Sequence, residues 1–315
     1  MPRPAPRSGR GWTRPSDRIS TMVDLAATPL GSQLDRRLAG PGARGFVSAD
    51  ELRELAVQTG LDEDAVVLAC LAWADRWARP PISQFRVGAL ALGGSGALYL
   101  GANIEFEGLP LCETIHAEQA AIVHAWLGGE TELRAIATSA APCGFCRQFM
   151  LELPEPRPRI LVPGGPARSL DSLLPAHFGP DDLGRTPTLL RAGPHGLRLA
   201  DDDGGNPLVR MTLDAANHSS APYTESFAAV GLATAQGERH VGRVAESVAY
   251  NPTLGPMQAA MIALHMQGGR LESIREAVLI EIDGAPVQHA RSAAQVLESL
   301  APTLRLRRFA ASRAP

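Results

Sequence analysis

Thr114-Ile-His-Ala-Glu-Gln-Ala-Ala-Ile122, followed by Pro142-Cys-Gly-Phe-Cys146, decides how this chain is read. One imidazole, His116, and two thiols, Cys143 and Cys146, make a soft three-ligand set suited to zinc. Three protein ligands rather than four leave a coordination position open, the arrangement of a catalytic zinc. Zinc so held brings the pKa of a bound water close to neutrality. Glu118 lies two residues beyond His116 and is not needed as a ligand. Inside a helix the two side chains would diverge by about 200°. His116 is therefore expected at the first turn, where the backbone is still bending and a carboxylate beside it can do general acid–base work. Cys143 and Cys146, three apart, share one face of a helix start, whose amide end favours thiolates.

Working outward, Phe85 to Leu92 and Ala97 to Gly101 read as two strands around the turn Gly93-Gly-Ser-Gly96. Asn103 and Glu105 follow the second strand, on one side of it by alternation. A helix from Ile115 to Leu127 closes at Gly128-Gly129. A strand from Arg134 to Ser139, a helix from Cys143 to Leu153 and a strand from Arg159 to Val162 complete the order ββαβαβ. That order implies a mixed sheet flanked by helices, an α/β domain. Upstream, residues 22–40 permit a weakly amphipathic helix. Ser48-Ala-Asp-Glu51 is a capping box for a helix ending at Gly60, and Asp62 caps another that runs from Ala65 to Trp77 until Pro80-Pro81 stops it. Residues 22–79 read as a small helical preface. Residues 1–21 carry five arginines without an apolar core, so they read as a disordered basic tail and not as a signal peptide.

The second half repeats the first faintly. Gly242-Arg-Val-Ala-Glu246 matches Gly101-Ala-Asn-Ile-Glu105, Pro256-Met-Gln-Ala-Ala-Met261 matches Ala117-Glu-Gln-Ala-Ala-Ile122, and Val230-Gly231 matches Val87-Gly88. A repeat at this spacing suggests duplication of a whole domain. Gly255 stands where His116 stands, Met257 stands where Glu118 stands, and no cysteine follows Cys146, so the second copy cannot build the metal site. The divisions expected are a tail at 1–21, the preface at 22–79, a catalytic domain at 80–182 and a degenerate second domain at 196–315.

Composition narrows the chemistry. All 30 basic residues are arginine, which excludes Schiff-base and lysine-activated mechanisms. A formal net charge of −3 with no basic run in the folded part argues against a nucleic-acid footprint. No stretch is apolar enough over a sufficient length to span a membrane. Of the four cysteines, Cys70 lies in an apolar run and reads as an inert core thiol, and Cys112 has no partner at ligand spacing. Arg147, directly after Cys146, is either a donor to a ligand thiolate or a surface arginine. His124 and His265 read as core or surface residues with no ligand role.

His-x-Glu followed by Pro-Cys-x-x-Cys is the signature of zinc deaminases acting on nucleobases. The chain resembles the long, two-domain bacterial cytidine deaminases through Asn103-Ile-Glu-Phe, Thr114-Ile-His-Ala-Glu-Gln-Ala-Ala-Ile, Pro142-Cys-Gly-Phe-Cys-Arg-Gln-Phe-Met and Ala249-Tyr-Asn-Pro-Thr-Leu-Gly-Pro-Met-Gln. The likeness runs from about Ser48 to near the C-terminus and includes the degenerate second copy. It implies a duplicated, three-layer α/β fold with a mixed sheet, one zinc per chain, and a homodimer that turns cytidine and 2′-deoxycytidine into the uridines in pyrimidine salvage; a cytoplasmic location is expected from the lack of a targeting or spanning stretch. It also implies roles: His116, Cys143 and Cys146 hold zinc, Glu118 moves protons, Asn103 and Glu105 hold the ribose 3′-hydroxyl, and Phe85 packs on the pyrimidine. Phe178, in Ala176-His-Phe-Gly-Pro-Asp, serves the neighbouring subunit's pocket. Without the resemblance, Asn103 and Glu105 would read as loop caps and Phe85 as a core strand residue. The competing functions are a deaminase of another aminated ring, a silent zinc-bearing nucleoside binder, and a polynucleotide editor. Asn103 and Glu105 favour a nucleoside, Glu118 opposes silence, and the charge balance opposes the editor.

Overall fold

A computed structural model describes residues 24–40, 42–200 and 205–313; the basic tail 1–21 lies outside the described residues. Helix α1 (Pro29–Ala39) is followed by a two-residue strand β1 (Phe46–Val47) and helix α2 (Ala49–Thr59). The capping box of α2 is built as expected: Glu51 N donates to Ser48 Oγ and Ser48 N donates to Glu51 Oε2. The helix expected from Ala65 to Trp77 is instead two, α3 (Glu63–Ala69) and α4 (Leu71–Asp75). Cys70 N donates to both Val66 O and Val67 O, so the last turn of α3 tightens and the chain changes direction there.

Next come β2 (Gly88–Gly93), β3 (Leu98–Ala102), α5 (Ala117–Leu127), β4 (Leu133–Thr138), α6 (Gly144–Met150) and β5 (Arg159–Leu161). They form a sheet of order β1-β3-β2-β4-β5 in which only β4 and β5 are parallel. The preface therefore gives the sheet an edge strand as well as a layer of helices. Strand β2 starts at Gly88 and not at Phe85, because residues 79–87 turn instead of extending: Gln84 has φ 57° and its N–H donates to Pro80 O. Alternation sorts the two faces. Leu90, Leu92, Leu98 and Leu100 pack with α1–α4, whereas Ala89, Ala91 and Tyr99 pack in the core that holds α5. Helices, sheet and helix make the three layers.

The second half contains β6 (Leu197–Leu199), α7 (Pro207–Asn217), β7 (Ala228–Thr234), β8 (Arg239–Arg243), α8 (Pro256–Met266), β9 (Ile274–Ile282), α9 (Ala290–Leu300) and β10 (Leu306–Arg313). Its sheet order is β6-β10-β9-β7-β8, with β9 and β10 parallel. Strands β7 to β10 thus repeat β2 to β5, and the extra strand joins the opposite edge. The duplicated mixed-sheet fold is borne out. Gly101 and Gly242 are true counterparts. A Cβ on Gly101 would fall 2.1 Å from Ala121 N, and one on Gly242 would fall 1.9 Å from Ala260 N, so each sheet lies tight against its helix. The match of Val87-Gly88 with Val230-Gly231 slips by two residues. Ala89 faces Gly101 and Val230 faces Gly242, so Val230 holds the place of Ala89.

Helices α5 and α8 share one continuous core at the centre of the molecule, and every residue from Ala117 to Trp126 is buried. Among the described residues no helix is long and apolar enough to cross a membrane.

Candidate active site

His116 is the N-cap of α5, extended at φ −83°, ψ 150°, so it sits at the bend where the sequence placed it. Cys143 is likewise the extended N-cap of α6, and Cys146 lies in that helix's first turn. Two helix starts therefore bring the three donors together. His116 Nδ1 is 3.5 Å from Cys143 Sγ and 3.3 Å from Cys146 Sγ, and the two sulfurs are 3.6 Å apart. A tetrahedral zinc with bonds of 2.0–2.3 Å spaces its donors about 3.5–3.8 Å apart, so the set fits it. Phe145 stacks on the His116 ring at 4.7 Å and 20°, which fixes the plane of the imidazole.

The two thiols are driven apart in acidity. Cys143, hydrogen-bonded by Cys146 and by His116, is pulled down to about 3, whereas Cys146 is pushed up by its bond to Cys143 and by burial. Two thiolates this close need a cation between them, which is what the donor set supplies a place for. Glu118 is buried, with Oε2 3.2 Å from Cys146 Sγ, and burial lifts it above the usual carboxylate range.

A second cluster adjoins the first. Ile104 and Ile115 exchange N–H···O bonds of 3.0 and 2.9 Å, laying the segment of Asn103 and Glu105 beside the approach to His116. Asn103 Nδ2 donates to Phe85 O at 2.9 Å and its Oδ1 accepts from Val87 N at 3.0 Å. Glu105 Oε2 accepts from Ile82 N and Ser83 N, both at 2.9 Å, and its Oε1 accepts from Ser83 Oγ. Phe85 is 45% exposed on this turn, so it is not a core strand residue. Phe178 is 49% exposed and tied to α6 instead, its carbonyl accepting from Gln148 Nε2 at 2.6 Å.

Arg147 is neither a donor to a ligand thiolate nor a free surface arginine, being half-buried. Its Nε donates to Pro142 O at 2.8 Å and its Nη1 to Leu173 O at 2.7 Å, so it braces the backbone leading into Cys143. Cys70 is buried and its thiol pushed up by burial; Cys112 is exposed. His124 Nδ1 contacts Leu100 O in the core. Sequence reasoning missed Ser83, Phe145 and Gln119, whose Nε2 donates to Pro252 O at 2.8 Å across the halves. Phe145 and Gln119 both lay inside the quoted motifs, but the partners of Gln119 and Ser83 come from distant segments. In the second half, Gly255 caps α8 where His116 caps α5, and a fully buried Met257 takes the place of Glu118.

Models of the cytidine and deoxycytidylate deaminase zinc-binding region match the chain over residues 61–159 and 170–294, one on each half. Cytidine deaminases of Yersinia pestis (strain Pestoides F) and Yersinia pseudotuberculosis serotype O:1b (strain IP 31758) are each 46% identical over 263 residues, covering 83% of this chain and 88% of theirs. This chain belongs to the cytidine deaminase family. The cytidine deaminase match at 61–159 contains His116, Glu118, Cys143 and Cys146, and zinc is the metal its region is described as binding. Among solved structures, cytidine deaminase from Mycobacterium tuberculosis is 33% identical with a TM-score of 0.31, over 35% of this chain and 91% of that one. The Burkholderia pseudomallei cytidine deaminase is 31% identical with a TM-score of 0.32, over 36% and 96%.

Proposed function

We propose that this protein hydrolyses the exocyclic amine of cytidine and 2′-deoxycytidine, releasing ammonia and the corresponding uridines. The observation that carries the reading is a buried Glu118 carboxylate beside a His116–Cys143–Cys146 donor set. When bound there, zinc supplies a water acidic enough to lose its proton near neutral pH. Glu118 takes up that proton on its carboxylate, delivers it to ring N3, and carries a second proton to the departing amine. A carboxyl group lifted by burial is suited to both uptake and release. His116, Cys143 and Cys146 hold the metal, and Phe145 keeps the imidazole in plane.

Asn103 and Glu105 face the sugar and take its 3′-hydroxyl, and Phe85 covers the pyrimidine. A carboxylate at Glu105 repels a phosphate at that hydroxyl, which disfavours nucleic acid as substrate. Phe85, Phe178 and Leu111 are large apolar side chains left exposed on this domain, at 45%, 49% and 72%. Such exposure suits a subunit interface, so the protein works as a homodimer in which Phe178 reaches the neighbouring site. Residues 80–182 form the catalytic domain and residues 196–315 the silent copy. Salvage of nucleosides places the protein in the cytoplasm.

The test is the ultraviolet change on mixing zinc-assayed protein with cytidine, deoxycytidine, CMP, cytosine and adenosine, with Glu118→Ala as the blank. Loss of the two cytidine nucleosides alone is expected. A zinc-loaded protein inert towards cytidine sinks the proposal.

A further inference from the structure

The turn that carries Phe85 is built twice in this chain. In the first half, Ile82 N and Ser83 N donate to Glu105 Oε2, Ser83 Oγ–H donates to Glu105 Oε1, and Phe85 N donates to Ser83 Oγ at 3.0 Å. In the second half, Tyr223 N and Thr224 N donate to Glu246 Oε2 at 3.0 and 3.2 Å. Thr224 Oγ1 donates to Glu246 Oε1, and Ser226 N donates to Thr224 Oγ1 at 3.1 Å. The residue between is left-handed in both, Gln84 at φ 57° and Glu225 at φ 56°. The bridges beneath also repeat, Arg79 with Ile104 and Ser220 with Ala245. The carboxylate clamp is matched bond for bond in the two turns.

What the second half has kept and lost separates two kinds of residue. It has lost His116 to Gly255, Glu118 to Met257, Asn103 to Val244 and Phe85 to Ser226. It has kept the carboxylate, the hydroxyl and the left-handed residue. A half that holds no metal has no substrate for Glu246 to bind, so its clamp serves the turn. The same clamp in the first half leaves Glu105 little to spare: of roughly four acceptor positions on a carboxylate, three are taken by Ile82 and Ser83.

We infer that Ser83, acting with Glu105, is a positioning residue that fixes the turn presenting Phe85, and that holding this turn is the first task of the Glu105 carboxylate. The inference rests on the deaminase function proposed above. Ser83 touches no reacting atom; it acts through Phe85 N and Glu105. Asn103, which grips Phe85 O and Val87 N and has no counterpart, belongs instead to the part of the turn found only beside a working site.

The experiment compares cytidine with 3′-deoxycytidine, which lacks the hydroxyl assigned to Glu105. Ser83→Ala should raise KM by about tenfold on both substrates while kcat changes little, since a displaced binding group weakens ground and transition states alike. Ser83→Thr, the residue the second half uses, should restore KM to that of the parent. Glu105→Gln should keep its penalty on 3′-deoxycytidine, and it serves as the second probe should Ser83→Ala fold poorly. A Ser83→Ala protein with unchanged KM, or penalties in both variants that vanish on 3′-deoxycytidine, overturns the inference. A parent protein that turns over neither substrate overturns the deaminase reading itself.

Discussion

Gln119 and Gln258, at matching positions of the two central helices, each reach across to the other half. Gln119 Nε2 reaches Pro252 O, and Gln258 Nε2 reaches the carboxylate of Glu113. Glu113 and Pro252 occupy matching places, each two residues before the bridge residue, Ile115 or Leu254, that precedes the central helix. The halves are thus related by an approximate two-fold axis between α5 and α8. Gln119 and Pro252 are both buried, so truncating Gln119 strands the Pro252 carbonyl, whereas Glu113 keeps Ser292 Oγ when Gln258 is lost. Gln119→Ala should destabilise by about 1–3 kcal/mol, and calorimetry should show a melting temperature lower by several degrees.

Metal binding and proton transfer should separate by mutation. Glu118→Gln keeps all three donors and loses the titrating group, so zinc content should stay at the parent level while turnover falls by at least about 10²–10⁴-fold. Cys143→Ala should lose the zinc instead. Metal analysis beside the ultraviolet assay distinguishes the two.

Chelation should abolish turnover and leave the fold standing. Cys143 is exposed, and although Cys146 belongs to the central core, that core extends through both halves and is built mainly of apolar side chains far more numerous than the three donors. Far-ultraviolet circular dichroism should therefore be unchanged after zinc removal, with activity restored by added zinc. Loss of the dichroism signal would mean that the metal is also a structural support.

Two buried groups give stability opposite dependences on pH. Glu152 accepts from Tyr223 Oη at 2.6 Å and from Val248 N at 2.7 Å, and burial pushes its pKa up to about 7. His124 is pushed by burial down to about 4. Between the ordinary carboxyl value and 7, the folded state holds the Glu152 proton and the unfolded state does not, so this contribution falls as pH rises. Between 4 and the ordinary imidazole value, the unfolded state holds the His124 proton and the folded state does not, so that contribution falls as pH drops. Each is on the order of 3 kcal/mol, and over the shared window they oppose one another. Glu152→Gln removes the first alone. Urea unfolding from pH 7 to 4.5 should then show a steeper loss of stability in the variant than in the parent.

Service in trans by Phe178 predicts complementation. Phe178→Ala chains carry Glu118, and Glu118→Ala chains carry Phe178. If Phe178 completes the neighbour's pocket, mixed and re-associated chains should be more active than either parent variant. No gain on mixing, in a preparation shown by light scattering to be dimeric, would put Phe178 outside the partner's site.

The metal centre was legible because each of its requirements is local. His116, Glu118, Cys143 and Cys146 sit at two helix starts, and helix starts are written in short stretches of sequence. The mixed sheet followed from the alternation of elements, though not its strand order or its edge strand β1, and the silence of the second half followed from Gly255 and Met257. The turn at 79–87 was not legible. Phe85-Arg-Val-Gly-Ala-Leu alternates well enough to pass for a strand, and only the distant Glu105 and Asn103, folding back on it, hold it otherwise. The break at Cys70 and the true partner of Val230 were hidden for the same reason: an apolar run does not state where it bends, and a weak repeat does not state its register.

Helix α5 turns no face to solvent, its Glu118, Gln119 and His124 included. All ten residues from Ala117 to Trp126 are buried, and α8 covers it as it covers α8. A gene cut in the connection near residues 183–196 would therefore release a first half that cannot dissolve alone. The surface that fits it best is one with the same two-fold contact, Gln119 against its own twin. The severed fragment should seek another copy of itself, so its oligomeric state becomes a record of what the second half was replacing.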